Sequence, residues 1–128
     1  MEYFLDTADL EAIRKINDFF PIAGVTTNPS NKNKKKRDFK KIVTEIYDII
    51  GKDKKVHAQA VGLTADIIIR EAELLRDTFG ENFYTKIPVT REGIKAMKIL
   101  SKKGHNITAT GILSPQQIIM AAEAGAEY

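Results

Sequence analysis

The sequence predicts an α/β fold with parallel strands, and three observations support this class. Five short segments rich in β-branched and apolar residues alternate with stretches whose apolar residues recur at helical spacing. No two candidate strands follow each other directly, and parallel neighbours require a crossover connection of this kind. The chain has 128 residues, of which 43% are hydrophobic and 29% charged, as in ordinary globular domains. We therefore expect one domain over residues 1–128.

The strands and helices follow one another in a regular order. The predicted strands are Tyr3–Leu5, Ala23–Thr26, Val56–Val61, Phe83–Ile87 and Asn106–Thr110. The stretch between each pair of strands carries one apolar stripe that can pack on the sheet. In chain order, the stripes consist of Leu10, Ile13 and Ile16; of Phe39, Ile42, Val43, Ile46, Ile49 and Ile50; of Ile68, Ala72, Leu75 and Phe79; and of Ile94, Met97 and Leu100.

Capping residues mark the helix boundaries. The markers are Thr64 and Thr90 before the third and fourth helices, and Gly51, Gly80 and Gly104 after the second, third and fourth. The segment Ser114–Gln117 combines an N-cap serine, a proline at the first helical position and the glutamine of a capping box. It predicts a fifth helix, which we expect to end at Gly125.

Composition and charge exclude several function classes. The chain has no cysteine, so disulfides and thiolate sites are excluded. Its apolar runs are far shorter than the ~20 residues of a membrane span, and its acidic start is unlike a signal peptide. The net charge of +3 originates in a basic run from Lys32 to Lys41, which has only Phe39 as an aromatic residue and is interpreted as solvated surface. We expect a cytoplasmic protein without membrane or nucleic-acid partners.

Polar side chains stand at the end of every predicted strand. The carboxyl ends of parallel strands meet at one edge of the sheet, where the active sites of such folds are built. When the alternation of side chains along each strand is applied, the residues that share the inner face at this end are Asp6, Thr26, Asn28, Gln59, Lys86 and Thr110. These residues form the candidate site.

Lys86 is the most informative of them, because it lies in an otherwise apolar and β-branched segment, Phe83–Val89. Burying an ammonium group without a partner is costly. One interpretation is a lysine whose amine extends to solvent or pairs with a structural carboxylate. The other is an amine kept neutral by desolvation, which attacks a carbonyl and forms a Schiff base.

The other candidates also have structural alternatives. Asp6 has the alternative of assisting a helix cap formed by Thr7 or Asp9. Asn28 precedes a proline and is also typical of a plain turn, and Gln59 has the alternative of a core amide bonded to backbone.

Neither a metal nor an organic cofactor is predicted. His57 and His105 have no partner at metal-ligand spacing and are interpreted as structural. The sequence contains no glycine-rich phosphate loop of standard spacing.

Four motifs give the chain a resemblance to the transaldolase family, closest to its short branch, the fructose-6-phosphate aldolases. The motifs are Met1–Ala8, Gly24–Ser30, Lys86–Thr90 followed by Glu92-Gly93, and Ala124–Tyr128. The family fold is a (β/α)8 TIM barrel. The resemblance implies that the chain covers about the first five βα units, and that Glu127-Tyr128 stands where the sixth strand begins.

The resemblance also implies catalytic roles. Lys86 matches the lysine that forms a Schiff base with a ketose, and Asp6 matches the acid/base that acts at the C4 hydroxyl. Gln59 and Thr110 match the pair that holds the catalytic water.

Substrate binding and assembly are implied in the same way. Asn28 matches the asparagine that binds a donor hydroxyl, with Thr26 beside it. The partners implied are sugar phosphates, and further copies of the chain in a homo-oligomer such as a ring-like pentamer or decamer.

Position 59 separates the branches, since Gln59 is typical of the aldolases and glutamate of the transaldolases. We therefore expect an aldolase that cleaves or forms the C3–C4 bond of a ketose phosphate. The alternatives are a transaldolase of the pentose phosphate pathway, a flavodoxin-like binding protein, and an inactive barrel fragment whose first and fifth strands are unpaired edges. Thr108 stands where long-chain transaldolases have asparagine, which makes that branch less favoured.

Overall fold

The computed structural model of the protein describes residues 1–27 and 36–128, without the side chains of residues 36–38. In these residues five strands alternate with five helices. They form two compact units, residues 1–58 and residues 59–128. The expected single domain over residues 1–128 stays a prediction.

The first unit contains three parallel strands. Its elements are β1 (Phe4–Asp6), α1 (Leu10–Phe19), β2 (Gly24–Thr27), α2 (Lys36–Ile50) and most of β3 (Lys55–Gln59). β2 pairs with β1 on one side and with β3 on the other. The register sets Thr26 opposite Asp6 and opposite His57. In the described part of this unit, the fully buried apolar residues are Ile13, Val25, Val43, Ile46, Val56 and Ala58.

The second unit contains α3 (Ala65–Phe79), β4 (Phe83–Pro88), α4 (Arg91–Lys102), β5 (Asn106–Thr110) and α5 (Pro115–Glu123). β4 and β5 are parallel, with Lys86 opposite Thr108 and Pro88 opposite Thr110. Their apolar face belongs to a core to which α3, α4 and α5 contribute. Its members are Ala60, Ala65, Ile68, Ala72, Ile87, Val89, Ala96, Met97, Leu100, Ile107, Ala121 and Ala124.

All five predicted strands are present, and the third one ends earlier than expected. It was predicted to continue to Val61 but ends at Gln59. The reason is that the backbone N–H groups of Val61 and Gly62 donate to the Glu71 carboxylate, at 2.9 and 3.0 Å. These donors therefore serve a loop and not a strand ladder.

The fifth helix begins with Pro115 after the predicted N-cap, and differs from its prediction in the capping box and in its last residue. Ser114 caps it as expected by accepting a hydrogen bond from the Gln117 N–H, at 3.4 Å. The Gln117 side chain, however, accepts from the N–H of Leu113 at 2.7 Å, one residue before the position that a capping box requires. The helix ends at Glu123, and Gly125 follows with a φ of 95°.

Gly93 allows the first turn of α4 to lie directly against the end of β4. A Cβ atom at this position would stand 1.9 Å from the carbonyl oxygen of Pro88. That separation is far below any van der Waals contact, so every other residue type would push the helix away from the strand.

The free edge of β5 is partly covered, which corrects the expectation of an unpaired edge at this strand. The N–H of Glu127 donates to the carbonyl of Ile107 at 3.0 Å, and the N–H of Ala109 donates to the carbonyl of Tyr128 at 2.6 Å. The Tyr84 hydroxyl donates to Glu127 at 3.0 Å, and its ring meets that of Tyr128 edge to face. Residues 127–128 thus lie along the outer side of β5.

Among the residues that the structure describes, no helix has the length and apolar character that a membrane crossing requires.

Candidate active site

Asp6 stands at the carboxyl end of β1, and its side chain is exposed. The hydroxyl of Thr26, at the matching position of β2, donates a hydrogen bond to Asp6 Oδ1 at 2.6 Å. A hydroxyl bonded to a carboxylate makes a short, charge-assisted bond. This contact fixes the orientation of the Asp6 carboxylate.

The expected cap of α1 is present and is formed by Asp9, but the alternative in which Asp6 assists this turn finds no support. Asp9 Oδ1 accepts hydrogen bonds from the N–H groups of Glu11 and Ala12, at 3.0 and 3.2 Å. Thr7 Oγ1 accepts from the N–H of Asp9 at 3.1 Å. The turn that follows β1 is therefore complete without the Asp6 side chain.

Two sequence predictions lie wholly or partly outside the described residues. Asn28, the predicted ligand of a donor hydroxyl, belongs to residues 28–35. Most of the basic run from Lys32 to Lys41 lies either in this segment or in residues 36–38, whose side chains are not described.

Lys86 lies near the carboxyl end of β4, and its side chain is half-buried. The strand residues around it are buried, with 6% of Tyr84, 2% of Thr85 and none of Ile87 exposed. Within the second unit, every residue of which is described, no carboxylate pairs with the Lys86 ammonium. The interpretation of a lysine neutralised by a structural carboxylate therefore finds no support in this unit.

Gln59 and Thr110 lie on either side of the Lys86 strand. The N–H of Ala60, directly after Gln59, donates to the carbonyl of Lys86 at 3.0 Å. On the other side, the N–H of Val89 donates to the carbonyl of Thr110 at 2.9 Å. The backbone thus brings the three predicted residues to one end of the second unit.

The polar ends of these three side chains share a further property. Gln59, Lys86 and Thr110 are half-buried as residues, and no hydrogen bond joins their side chains to another group of the second unit. An amine, an amide and a hydroxyl in this state are suited to bind a polar ligand or water, and the core-amide interpretation of Gln59 finds no support here.

The two histidines keep their structural interpretation. His57 is 2% exposed, and its ring meets that of Phe4 edge to face, with 4.8 Å between centroids. Burial, and then the nearby Arg76 cation, lower the pKa of His105 below its ordinary value of 6.5. In the described ranges, no three His, Asp or Glu side chains are grouped so that they could hold a metal ion.

Sequence reasoning missed the contacts that three polar residues of the helices make around this end. Glu71 binds the loop after Gln59, as described above. Glu92 accepts from the N–H of Ala65 at 2.9 Å, and Gln117 Nε2 donates to the carbonyl of Val89 at 3.4 Å. Glu92 lies in one family-like motif and Gln117 is the glutamine of the predicted capping box, but neither pattern indicates contacts between different loops.

Comparisons with known proteins show which family the chain belongs to. A family model described as "Transaldolase/Fructose-6-phosphate aldolase" matches residues 3–128. Two proteins named "Probable transaldolase", from Streptococcus pyogenes serotypes M5 and M49, are each 43% identical over all 128 residues. The chain spans 58% of the length of these curated relatives.

Solved structures with a similar fold have little sequence identity to the chain. A dihydrodipicolinate synthase from Rhodopseudomonas palustris has a TM-score of 0.61 at 12% identity, over 98% of this chain and 51% of the other. A racemase from Streptomyces coelicolor A3(2) has a TM-score of 0.63 at 16% identity, over 98% and 39%. At such identity the likeness concerns the fold alone.

The fold class expected from the sequence is confirmed: the chain is α/β, with five parallel strands and five helices that form the first five βα units of a (β/α)8 barrel. The descent of the chain is established by two findings: a family model matches nearly the whole chain, and relatives are 43% identical to it. The chain belongs to the transaldolase/fructose-6-phosphate aldolase family.

Proposed function

We propose that the protein is a Schiff-base-forming aldolase of the fructose-6-phosphate aldolase kind, which cleaves or forms the C3–C4 bond of a ketose phosphate. One observation carries the proposal. In the second unit, the half-buried residue Lys86 lies on a strand flanked by Gln59 and Thr110, and no other group of that unit forms a hydrogen bond with any of the three side chains. Family membership supports the same chemistry.

The first step uses these three residues. The neutral Lys86 amine adds to the C2 carbonyl of the ketose, and the resulting carbinolamine loses water to give an iminium ion. Gln59 and Thr110 would hold the water that carries protons during this step.

The second step breaks the carbon–carbon bond and is assigned to Asp6. Its carboxylate would accept the proton of the C4 hydroxyl while the C3–C4 electron pair moves into the iminium. Glyceraldehyde 3-phosphate leaves, and a three-carbon enamine stays on Lys86. The Thr26 hydroxyl supports this role by orienting the Asp6 carboxylate, and Asn28 is proposed to bind a donor hydroxyl.

The fate of the enamine distinguishes the two candidate activities. Protonation and hydrolysis release dihydroxyacetone in an aldolase, whereas attack on a second aldehyde gives a transaldolase. Gln59, an amide and not a carboxylate, favours the aldolase. The names of the 43% identical relatives favour the transaldolase as the second candidate.

The remaining proposals concern the setting of this chemistry. Neither reaction requires a metal or an organic cofactor. The proposed substrates are sugar phosphates, and we propose a cytoplasmic homo-oligomer. Because the chain spans 58% of its curated relatives, an inactive barrel fragment stays the alternative for these 128 residues in isolation.

Borohydride trapping tests the Schiff base. The chain is incubated with dihydroxyacetone, which needs no phosphate site, and is then reduced and digested for peptide mass mapping. The adduct is expected on Lys86 and should be absent from Lys86→Arg. Lys98→Arg, an exposed lysine of α4, serves as the control and should retain the adduct. An adduct on another lysine, or none at all, would overturn the proposal.

A further inference from the structure

The N-terminus of α3 is capped by a residue of the next helix. Thr64 occupies the N-cap position, but its side chain makes no capping hydrogen bond. Instead, Glu92, in the first turn of α4, accepts from the N–H of Ala65 at 2.9 Å. A carboxylate is well suited to this position because it meets the positive end of the helix dipole. Glu92 thereby joins the start of α3 to the start of α4.

Gln117 makes a similar connection from α5. Its side chain receives the N–H of Leu113 at 2.7 Å, so the atom there must be the acceptor Oε1. The amide nitrogen Nε2 then donates to the carbonyl of Val89, at 3.4 Å. Gln117 thereby joins the loop after β5 to the end of β4.

These loops follow the strands that carry the proposed catalytic groups. The loop that ends at Ala65 begins directly after Gln59, and Val89 lies three residues after Lys86. The loop that contains Leu113 begins directly after Thr110. Glu92 and Gln117 thus connect three consecutive loops, one after each of the three residues.

We propose that Glu92 and Gln117 are positioning residues that hold the ends of β3, β4 and β5 in register, so that Gln59 and Thr110 can share one water beside Lys86. The proposal rests on the proposed function. A water shared by two side chains tolerates little displacement, and an error of about 1 Å in a reacting geometry can cost about 100-fold in rate. Strand pairing alone leaves the loops beyond the strand ends unconstrained.

The structure supplies matched controls, because the same helices also carry purely local caps. Thr90 Oγ1 accepts from the N–H of Gly93 at 3.0 Å, and Ser114 caps α5 through Gln117 N–H, as described above. Thr90→Ala and Ser114→Ala remove a cap within one helix, while Glu92→Ala and Gln117→Ala remove a contact between loops. Loss of stability alone would affect both pairs alike.

The rate of dihydroxyacetone trapping on Lys86 measures the effect. We expect Glu92→Ala and Gln117→Ala to slow trapping by between about 10- and 100-fold, and the two cap variants to leave it near the parent rate. Glu92→Gln keeps an acceptor for the Ala65 N–H and should restore the rate. Gln117→Glu keeps the Leu113 contact but sets an oxygen against the Val89 carbonyl, so trapping should stay slow.

The outcomes separate this proposal from the proposed function. Equal rates in the loop-contact and cap variants, or no restoration by Glu92→Gln, would overturn the positioning role. If Glu92→Ala does not fold, Gln117→Glu against Ser114→Ala decides the question.

If the parent gives no adduct on Lys86, the proposed function fails, and nuclear magnetic resonance tests the positioning role directly. Gln117→Glu should then shift the signals of Lys86, Val89 and Thr110. A change confined to residues 113–117 would overturn the role.

Discussion

The candidate residues of the two units are positioned in different ways. In the first unit, Asp6 is held directly by the hydroxyl of Thr26 on the neighbouring strand. In the second unit, the side chains of Gln59, Lys86 and Thr110 have no hydrogen bond to other groups of the unit, and the loops beside them are connected instead.

The difference corresponds to the chemistry proposed for each unit. A carboxylate that accepts a proton can be oriented through one oxygen by a permanent donor. An amine that must form a covalent bond cannot keep a permanent partner, so its position has to come from the backbone and from residues that never touch the substrate. Direct orientation in one unit and indirect support in the other follow from this requirement.

The largest effect is expected for Gly93→Ala, which tests the backbone support of the second unit. The new methyl group would meet the Pro88 carbonyl, and we expect the free energy of unfolding to fall by about 1–3 kcal/mol, as overpacking usually causes. Urea denaturation measures this, with Lys95→Ala, an exposed position of the same helix, as the control.

Hydrogen exchange of the Gly93→Ala protein tests whether the two units unfold together. If residues 1–128 form one cooperative domain, as the sequence predicts, slow amide protons in both units lose protection together. Loss confined to residues 59–128 would contradict the single domain, and unchanged stability would contradict the close contact between α4 and β4.

Thr26→Val tests the direct orientation in the first unit. Removing a hydrogen bond to a charged group costs about 1.5–3 kcal/mol, so the carbon–carbon cleavage step should slow by about tenfold or more. Single-turnover trapping with fructose 6-phosphate measures it as the ratio of three-carbon to six-carbon adducts on Lys86. Thr26→Ser keeps the hydroxyl and should retain the parent ratio; equal ratios in the valine and serine variants would rule out this role.

Gln59→Glu tests the branch assignment and should have an intermediate effect. A carboxylate at this position changes how readily the enamine is protonated, so activity should move from release of dihydroxyacetone towards its transfer to erythrose 4-phosphate. The measurement is the ratio of free to transferred dihydroxyacetone. A parent protein that transfers the unit but never releases it would contradict the aldolase assignment.

The smallest effect is expected from His105, whose pKa is lowered in the fold, first by burial and then by Arg76. The unfolded chain therefore binds a proton at His105 more readily than the folded chain does. The contribution of His105 to the free energy of unfolding is constant above a pH of about 6.5, and it is lost as the pH falls towards the folded pKa. Between about pH 7.5 and pH 5.5, the urea midpoint of His105→Gln should decline slightly less than that of the parent protein. An identical decline in both proteins would contradict this linkage.

The sequence predicted the strands well, because their signal is local. Asn106–Thr110 matches without a shift, and Phe83–Ile87 differs from the observed β4 by one residue. The alternation of side chains then assigned Asp6 and Thr26 to one end of neighbouring strands, where they are hydrogen-bonded. Parity and strand ends alone were sufficient for this.

The errors arose where a distant side chain replaces a local partner. β3 ends before Val61 because Glu71 takes its N–H, and the Gln117 side chain joins Leu113 and Val89. The contact of Glu92 with Ala65 spans 27 residues. No periodicity or capping pattern reports such contacts, because they exist only after the helices have packed.

The cap that Glu92 provides to α3 also has a consequence for the order of folding. α4 and α5 carry their caps within their own first turns, and can form them as soon as those residues are synthesised. The side-chain cap of α3 has to wait until the chain has been extended by a whole helix and strand, to Glu92. Closing so long a loop costs entropy before the bond compensates for it. The loop next to Gln59 is therefore completed only when the strand and helix that follow it are in place.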